Sequence, residues 1–320
     1  MTLKETIAVF KKKGGSSLLK QYLKGGAFFT AASEFVLLGK DRTALEILRL
    51  AAGFKIKKKL SKKYGRYISE FEQKYDSSLE HKSSNKVWIC WLQGIDKAPS
   101  LVQKCYEEAK KMLPGKDIVL ITEDNYKDYV TFPDHIIDKW KRGVITHTHF
   151  TDLLRLELLI RYGGLWLDAT VLCTQEEENI PEYFFDSELF FFQTLKPGRD
   201  GHCTYMSSWL MSARTNNKVL CLTRDLCYKY WETNDKMVDY FLLHEFMSIV
   251  LDRFPKEWNA IVPRDNSTPH ILLLRFFDQY DEKLWGYIKE QSPFHKLSYK
   301  FTEDEIKKKG TFYDVLFGDR

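Results

Sequence analysis

Hydrophobic and polar positions divide this chain into two unlike parts. Residues 1–80 read as helical throughout. Between residues 54 and 71 the apolar positions Ile56, Leu60, Tyr64, Tyr67 and Phe71 follow one another at intervals of four, four, three and four, which draws one stripe on a helix. Lys55, Lys57, Lys58, Lys59, Lys62, Lys63 and Arg66 fill the positions between, so the helix is amphipathic and basic. Two placements suit it: the stripe on the protein core with the lysines in water, or attachment to an anionic membrane face, where each nearby Lys or Arg adds on the order of 1 kcal/mol. A polar stretch at 76–85, rich in Ser, Asp and Asn, predicts a boundary between a helical basic segment, 1–80, and a second domain, 81–320.

Beyond that boundary strands and helices alternate. An apolar run at 87–92 predicts a strand, 102–113 a helix stopped by Pro114-Gly115, 118–121 a second strand, and 133–141 a helix stopped by Gly143. This rhythm predicts an α/β domain with a mainly parallel sheet, whose ligands gather outside the carboxyl ends of the strands. From 147 to 162 runs a helix that is apolar nearly all round, hence buried. Its charges fall into two pairs, Asp152 with Arg155 and Glu157 with Arg161, on roughly opposite sides. Both pairs are hard to expose at once on so apolar a helix, so one is expected to face a polar cavity; periodicity does not say which. Gly163-Gly164 stops the helix, 165–167 forms a short strand, and Asp168 stands at its carboxyl end.

Composition sharpens the picture mainly through charge. The net charge over 320 residues is +5, but residues 1–66 hold 16 Lys and Arg against 4 Asp and Glu, so the remainder is net acidic by about seven charges. With 44% hydrophobic and 15% aromatic residues the chain is neither disordered nor of low complexity. No apolar run is long enough to span a bilayer, and Lys11, Lys12 and Lys13 are not followed by the apolar region and cleavage site of a signal peptide. The six cysteines form no C-x-x-C pair and read as reduced, mostly buried thiols of a cytosolic protein. No recognition motif supports nucleic-acid binding.

The run Thr151-Asp152-Leu153-Leu154-Arg155, followed by Tyr162-Gly163-Gly164-Leu165-Trp166-Leu167-Asp168-Ala169-Thr170, closely resembles bacterial capsular polysaccharide synthesis glycosyltransferases, relatives of glycosyltransferase family 32 with its DXD-containing sugar-binding region. Lys86 to Gly94, with Lys97-Ala98-Pro99, and Leu120 to Tyr126 resemble that family's first strand, nucleotide-binding loop and second strand. The resemblance implies a GT-A-type, Rossmann-like fold that binds a nucleotide sugar, usually UDP-linked, and transfers the sugar with retention. It implies that Trp91 lies near the uracil with Gln93 in the same loop, and that Asp152 and Arg155 contact donor sugar and diphosphate. It makes Asp168 the first DXD acid, at the ribose and a divalent Mn or Mg.

The sequence departs from that pattern at Thr170, where the second acid is expected. A metal held by Asp168 would then rely on phosphate, water and the Thr170 hydroxyl, or on a ligand from the 264–270 loop, with Asp265, Asn266 and His270 as candidates. Breaking an anomeric C–O bond builds charge on the departing phosphate, which a metal, an arginine or amide donors would stabilise. Besides Asp168, Glu245 is a candidate acid–base residue on a helix at 240–251, the plain alternative being a surface carboxylate. Ser208 and Trp209 are candidates for the acceptor side, Trp209 by stacking on a sugar unless it belongs to the core. The expected function is sugar transfer to a lipid-linked saccharide in surface polysaccharide synthesis, at the inner face of the cell membrane, with a homo-oligomer allowed. Transfer to a protein acceptor, or non-catalytic binding of a nucleotide sugar, are the alternatives.

Overall fold

The computed structural model describes residues 15–194 and 204–318; Lys11–Lys13 and Cys203 lie outside the described residues. Three helices open it: α1 (Gly15–Gly25), α2 (Phe28–Leu38) and the 33-residue α3 (Arg42–Lys74), which begins where the Asp41 side chain accepts from the Ala44 N–H. The expected stripe is real and faces inward. Ile56, Leu60 and Tyr64 are buried, while Lys55, Lys58, Lys59, Lys62 and Lys63 stay in water. Lys57 is the exception, buried in an ion pair with Asp252 at 2.8 Å. Of the two placements open to the stripe, the structure takes the protein core.

The sheet combines β1 (Lys86–Cys90), β2 (Asp117–Ile121), β3 (Gly164–Leu167), β5 (Leu189–Gln193) and β6 (Met206–Ala213) in the order β2-β1-β3-β6-β5. β2, β1 and β3 run parallel, with Val87 beside Leu165 and Trp88 beside Trp166, whereas β6 runs antiparallel to both its neighbours, β3 and β5. The sheet is therefore mixed, with a parallel centre and an antiparallel edge. The helix α4 (Ser100–Met112) crosses from β1 to β2; α5 (Asp134–Lys141) and α6 (His147–Tyr162) precede β3. Gly163 and Gly164 close α6 with φ of +68° and +93°, and a Cβ on Gly164 would stand 2.3 Å from the Lys86 carbonyl oxygen, so only glycine lets β3 come up against β1 here.

Strand alternation gives each face its own core. Val87, Ile89, Leu165 and Leu167 pack with α4 and the C-terminal elements; Trp88, Cys90 and Trp166 pack with α3, α6, α7 (Lys218–Thr233) and α8 (Leu242–Arg253). A second sheet of two antiparallel strands, β4 (Val171–Cys173) and β7 (Phe294–Lys296), lies just beyond the end of β3. Cys90, Cys105, Cys173, Cys221 and Cys227 are free and buried. Among the described residues no helix is long and apolar enough to cross a membrane.

Candidate active site

Asp168 follows the last residue of β3, and its N–H donates to the Trp209 carbonyl on β6 at 2.8 Å. The carboxylate thus stands at the carboxyl end of the central strand, where open α/β sheets collect ligands. Helix α6, started by the Thr146 hydroxyl accepting from the His149 N–H, supplies its partner. Arg155 is a bridge: Nη1 donates to Asp152 Oδ1 at 2.9 Å and Nη2 to Asp168 Oδ1 at 3.1 Å. Its guanidinium lies 4.8 Å from the centroid of the Trp166 ring, and Trp166 Nε1 donates to Asp168 Oδ1 at 2.9 Å.

The second Asp168 oxygen accepts from Lys296 Nζ at 3.0 Å, and the same ammonium donates to Thr170 Oγ1 at 2.6 Å. Lys296 arrives from 128 residues away because β7 pairs with β4, setting Lys296 opposite Val171, and the Leu297 N–H donates to the Thr170 carbonyl. Burial by itself would raise the Asp168 pKa. The Lys296 and Arg155 charges, with the hydrogen bonds from Trp166 and Lys296, outweigh it and hold the carboxyl below its usual range.

Two histidines complete the cluster. His149 Nδ1 is 3.3 Å from Asp152 Oδ2. His244 on α8 feels the charges of Asp152, Arg155, Asp168 and His149, and burial pushes its pKa down to about 4, so it is neutral at physiological pH. His149 Nε2, Arg155 Nε and His244 Nδ1 are buried without a partner among the described residues. Buried polar atoms are ordinarily paired, and three orphans in one charged cluster suit a site that waits for a polar ligand.

The other expected site residues fall in different places. The Glu157–Arg161 pair does not form: Glu157 accepts from the Tyr228 hydroxyl at 2.7 Å, and Arg161 reaches the Tyr129 carbonyl. The structure therefore joins Asp152 and Arg155 to Asp168. Trp91 and Gln93 lie in the loop after β1, at the same end of the sheet; Trp91 is partly buried against the Tyr299 ring and Gln93 is exposed. Glu245 is no surface carboxylate. It is buried, with its pKa pushed up to about 9 by burial and by Asp239 and partly offset by Lys57 of α3; the charges acting on it do not include those of the Asp168 cluster. On that helix it is His244 whose surroundings include the cluster. Trp209 belongs to the core: it stacks on Phe192 at 4.7 Å and donates to Asn266 Oδ1 at 2.7 Å, and its neighbour Ser208 is also buried. The acceptor-side expectation for these two thus gives way to packing.

The residues around Asp168 do not fit a divalent cation. Such an ion would take phosphate and water oxygens but still needs one or two free carboxylate oxygens from the protein. Both Asp168 oxygens are engaged by N–H donors, and Thr170 Oγ1 already accepts from an ammonium. In the 264–270 loop Asn266 Oδ1 is taken by Trp209 and His270 Nδ1 by the Asn266 carbonyl at 2.7 Å, while Asp265 makes no bond to the described residues around Asp168. Among the described residues no three His, Cys, Asp or Glu side chains group so as to hold a metal. A cavity of 810 Å³ lies elsewhere, between α4 and the C-terminal residues 315–318, and holds none of the cluster.

The match to one family of known proteins begins inside α3 and takes in every residue of the cluster. The chain belongs to the capsular polysaccharide synthesis protein family, matched over residues 46–316. It is 23% identical over 166 residues to the O-glycosyltransferase PaGT of Phomopsis amygdali, covering 47% of this chain and 39% of that one. It is 24% identical over 166 residues to the O-glycosyltransferase braB of Annulohypoxylon truncatum, covering 47% and 38%. The chain thus spans about two-fifths of the length of these relatives. A solved structure, the PaToxG glycosyltransferase, aligns over 82% of this chain and 95% of its own, with TM-score 0.40 and 14% identity.

Two features of the site escaped the sequence reading. His149 stands three residues before Asp152, the i,i+3 spacing that puts both on one face of α6, so a signal was present. Lys296 had none, because its place depends on the pairing of two strands far apart in the chain.

Proposed function

We propose that this capsular polysaccharide synthesis family member is a glycosyltransferase of GT-A type that takes a sugar from a nucleotide sugar and passes it to a hydroxyl acceptor. The observation that carries the reading is the strand-end cluster. Arg155 is held by Asp152 against Asp168, with Lys296 on the other Asp168 oxygen, so two fixed cations stand where a nucleoside diphosphate would lie. Fixed charge of this kind stabilises the negative charge that develops as the anomeric bond breaks, and in a partly buried site it does so without reorganisation. Trp91 and Gln93 at the same sheet edge would receive the base, with UDP the donor nucleotide. Transfer with retention needs no side-chain nucleophile, because the departing phosphate can take the acceptor's proton, and the engagement of Asp152 and Asp168 by N–H donors is compatible with it.

The acceptor in this reading is a saccharide carried on lipid; the family's description goes only as far as capsular polysaccharide synthesis. Its support in the chain is the surface of the N-terminal helices, where Phe29, Val36 and Leu37 of α2 are more than three-quarters exposed and Lys55, Lys58, Lys62 and Lys63 of α3 are exposed as well. The test is incubation of the purified chain with a panel of UDP-sugars, following release of UDP. Release with at least one donor is expected, falling at least about a hundredfold in Arg155→Ala. A chain that neither binds UDP nor releases it from any donor would refute the reading.

A further inference from the structure

We infer that Lys296 takes the place of the divalent cation, so that donor binding and cleavage at this site are independent of metal; this rests on the nucleotide-sugar reading above. A divalent ion beside paired acids would perform two tasks: it would screen the carboxylates from the diphosphate, and it would draw off charge from the oxygen that leaves the anomeric carbon. Both tasks fall within the reach of the Lys296 ammonium. It sits between Asp168 Oδ2 and Thr170 Oγ1, at 3.0 and 2.6 Å, bridging the first position of the motif and the position where a second acid is missing. Loss of the acid and gain of the lysine are chemically consistent. An Asp at 170 with a cation at Asp168 would make a metal site, whereas Thr170 with Lys296 makes a fixed positive point charge with a neutral acceptor.

The geometry leaves that charge available to a ligand. An ammonium has three N–H donors, and among the described residues Lys296 spends two, on Asp168 and Thr170. Its side chain is 20% exposed, enough to be reached and little enough to be held. The backbone holds it from both sides, through the β4–β7 ladder and the bond from the Leu297 N–H to the Thr170 carbonyl at 2.9 Å. Across Asp168, the Arg155 guanidinium has its Nε buried without a partner. Asp168 is therefore the anionic hinge between two cations, and a diphosphate bound there would meet both.

The transfer balances without a metal. The bond between the anomeric carbon and the β-phosphate oxygen breaks, and its electron pair leaves on that oxygen. The acceptor hydroxyl oxygen forms the new bond to the anomeric carbon, and its proton passes to the departing nucleoside diphosphate. Lys296 donates a hydrogen bond to the departing phosphate and is unchanged at the end.

The experiment measures UDP affinity by calorimetry and UDP-sugar cleavage on the full chain, each in EDTA and in Mn²⁺, for the parent, Lys296→Ala and Lys296→Arg. The parent is expected to bind and to turn over within about twofold in the two conditions. Lys296→Ala should lose at least tenfold in UDP affinity and at least a hundredfold in turnover, with Lys296→Arg recovering much of both. The electron paramagnetic resonance signal of Mn²⁺ should show no more binding to the parent plus UDP than to UDP alone. Turnover abolished by EDTA and restored by Mn²⁺ would overturn the inference while leaving the transferase reading intact. So would a Lys296→Ala protein that keeps parental UDP affinity. A parent with neither UDP binding nor cleavage in either condition would overturn both.

Discussion

Arg155 and Asp168, thirteen residues apart and on different elements, share a hydrogen bond of 3.1 Å that ties α6 to the end of β3. The same guanidinium holds Asp152 one turn back on α6, so a single side chain satisfies two carboxylates that are largely buried. Replacing Arg155 with Ala leaves Asp152 without its cation and Asp168 with Lys296 alone. Removing one partner of a buried ion pair costs about 3 kcal/mol or more. Urea unfolding of Arg155→Ala should show a loss of that order, together with the loss of donor cleavage. Arg155→Lys should recover only part of the stability, because one ammonium does not reproduce a planar fork.

Asp168 gives a prediction in pH. Its folded pKa lies below the unfolded value, so the carboxylate contributes stability that is fully present above the unfolded pKa and is lost as pH falls through the folded one. The gap in unfolding free energy between the parent and Asp168→Asn should therefore be flat from pH 5 to 8 and begin to narrow below about pH 4. A gap that does not narrow at all between pH 5 and pH 3 would mean that shape, rather than charge, is what Asp168 supplies.

Glu245 behaves in the opposite sense. Its folded pKa of about 9 stands far above that of a free carboxyl, so the folded state keeps a proton that the unfolded state releases. Stability should then fall as pH rises from about 4.5 towards 9, by up to about 1.4 kcal/mol per pH unit. Glu245→Gln keeps the shape without the ionisation. Its unfolding free energy should match the parent near pH 4 and exceed it increasingly up to pH 8, by chemical denaturation. A parent and variant with parallel pH curves would show that Glu245 ionises freely in the fold.

These residues also show what the sequence could and could not reveal. The strands β1, β2 and β3 and the limits of α6 follow from local signals: apolar runs, Pro114-Gly115, Gly163-Gly164. Local signals placed Asp168 at a strand end and gave Asp152–Arg155 as one of two charge pairs on α6, but only the family resemblance chose that pair, which the structure joins to Asp168. Lys296 was not, since strand pairing across 125 residues leaves no periodicity to read. On α8, which is buried nearly all round, Glu245 and its neighbour His244 differ by 100° of helix phase, and an apolar pattern does not specify which of them meets the cluster. Trp209 illustrates the converse case: a ring that suits a sugar equally suits Phe192, and only packing distinguishes them.

The last prediction concerns the surface of the N-terminal helices. Deleting residues 1–66 would be a poor test of membrane attachment, because Ile56, Leu60 and Tyr64 of α3 belong to the core and their loss would unfold the body. The apolar side chains left outside are on α2. Phe29 and Val36 are seven residues apart, two helical turns on one face, and Leu37 adjoins them; they are 84%, 81% and 77% exposed. On α3, Phe54 is 55% exposed next to Lys55 and Lys58. Exposed apolar side chains on α2 together with exposed lysines on α3 would complement an anionic bilayer surface: each apolar side chain buried is worth about 1.5–3 kcal/mol and each nearby lysine about 1 kcal/mol. The parent should sediment with vesicles containing phosphatidylglycerol and not with neutral ones. The triple substitution of Phe29, Val36 and Leu37 by Ser should weaken that binding at least tenfold without lowering Tm, since none of the three packs inside. Substitution of Lys55, Lys58, Lys62 and Lys63 by Gln should abolish the preference for anionic lipid and flatten its salt dependence. Undiminished sedimentation of the triple variant would assign attachment, if any, to another surface of the molecule.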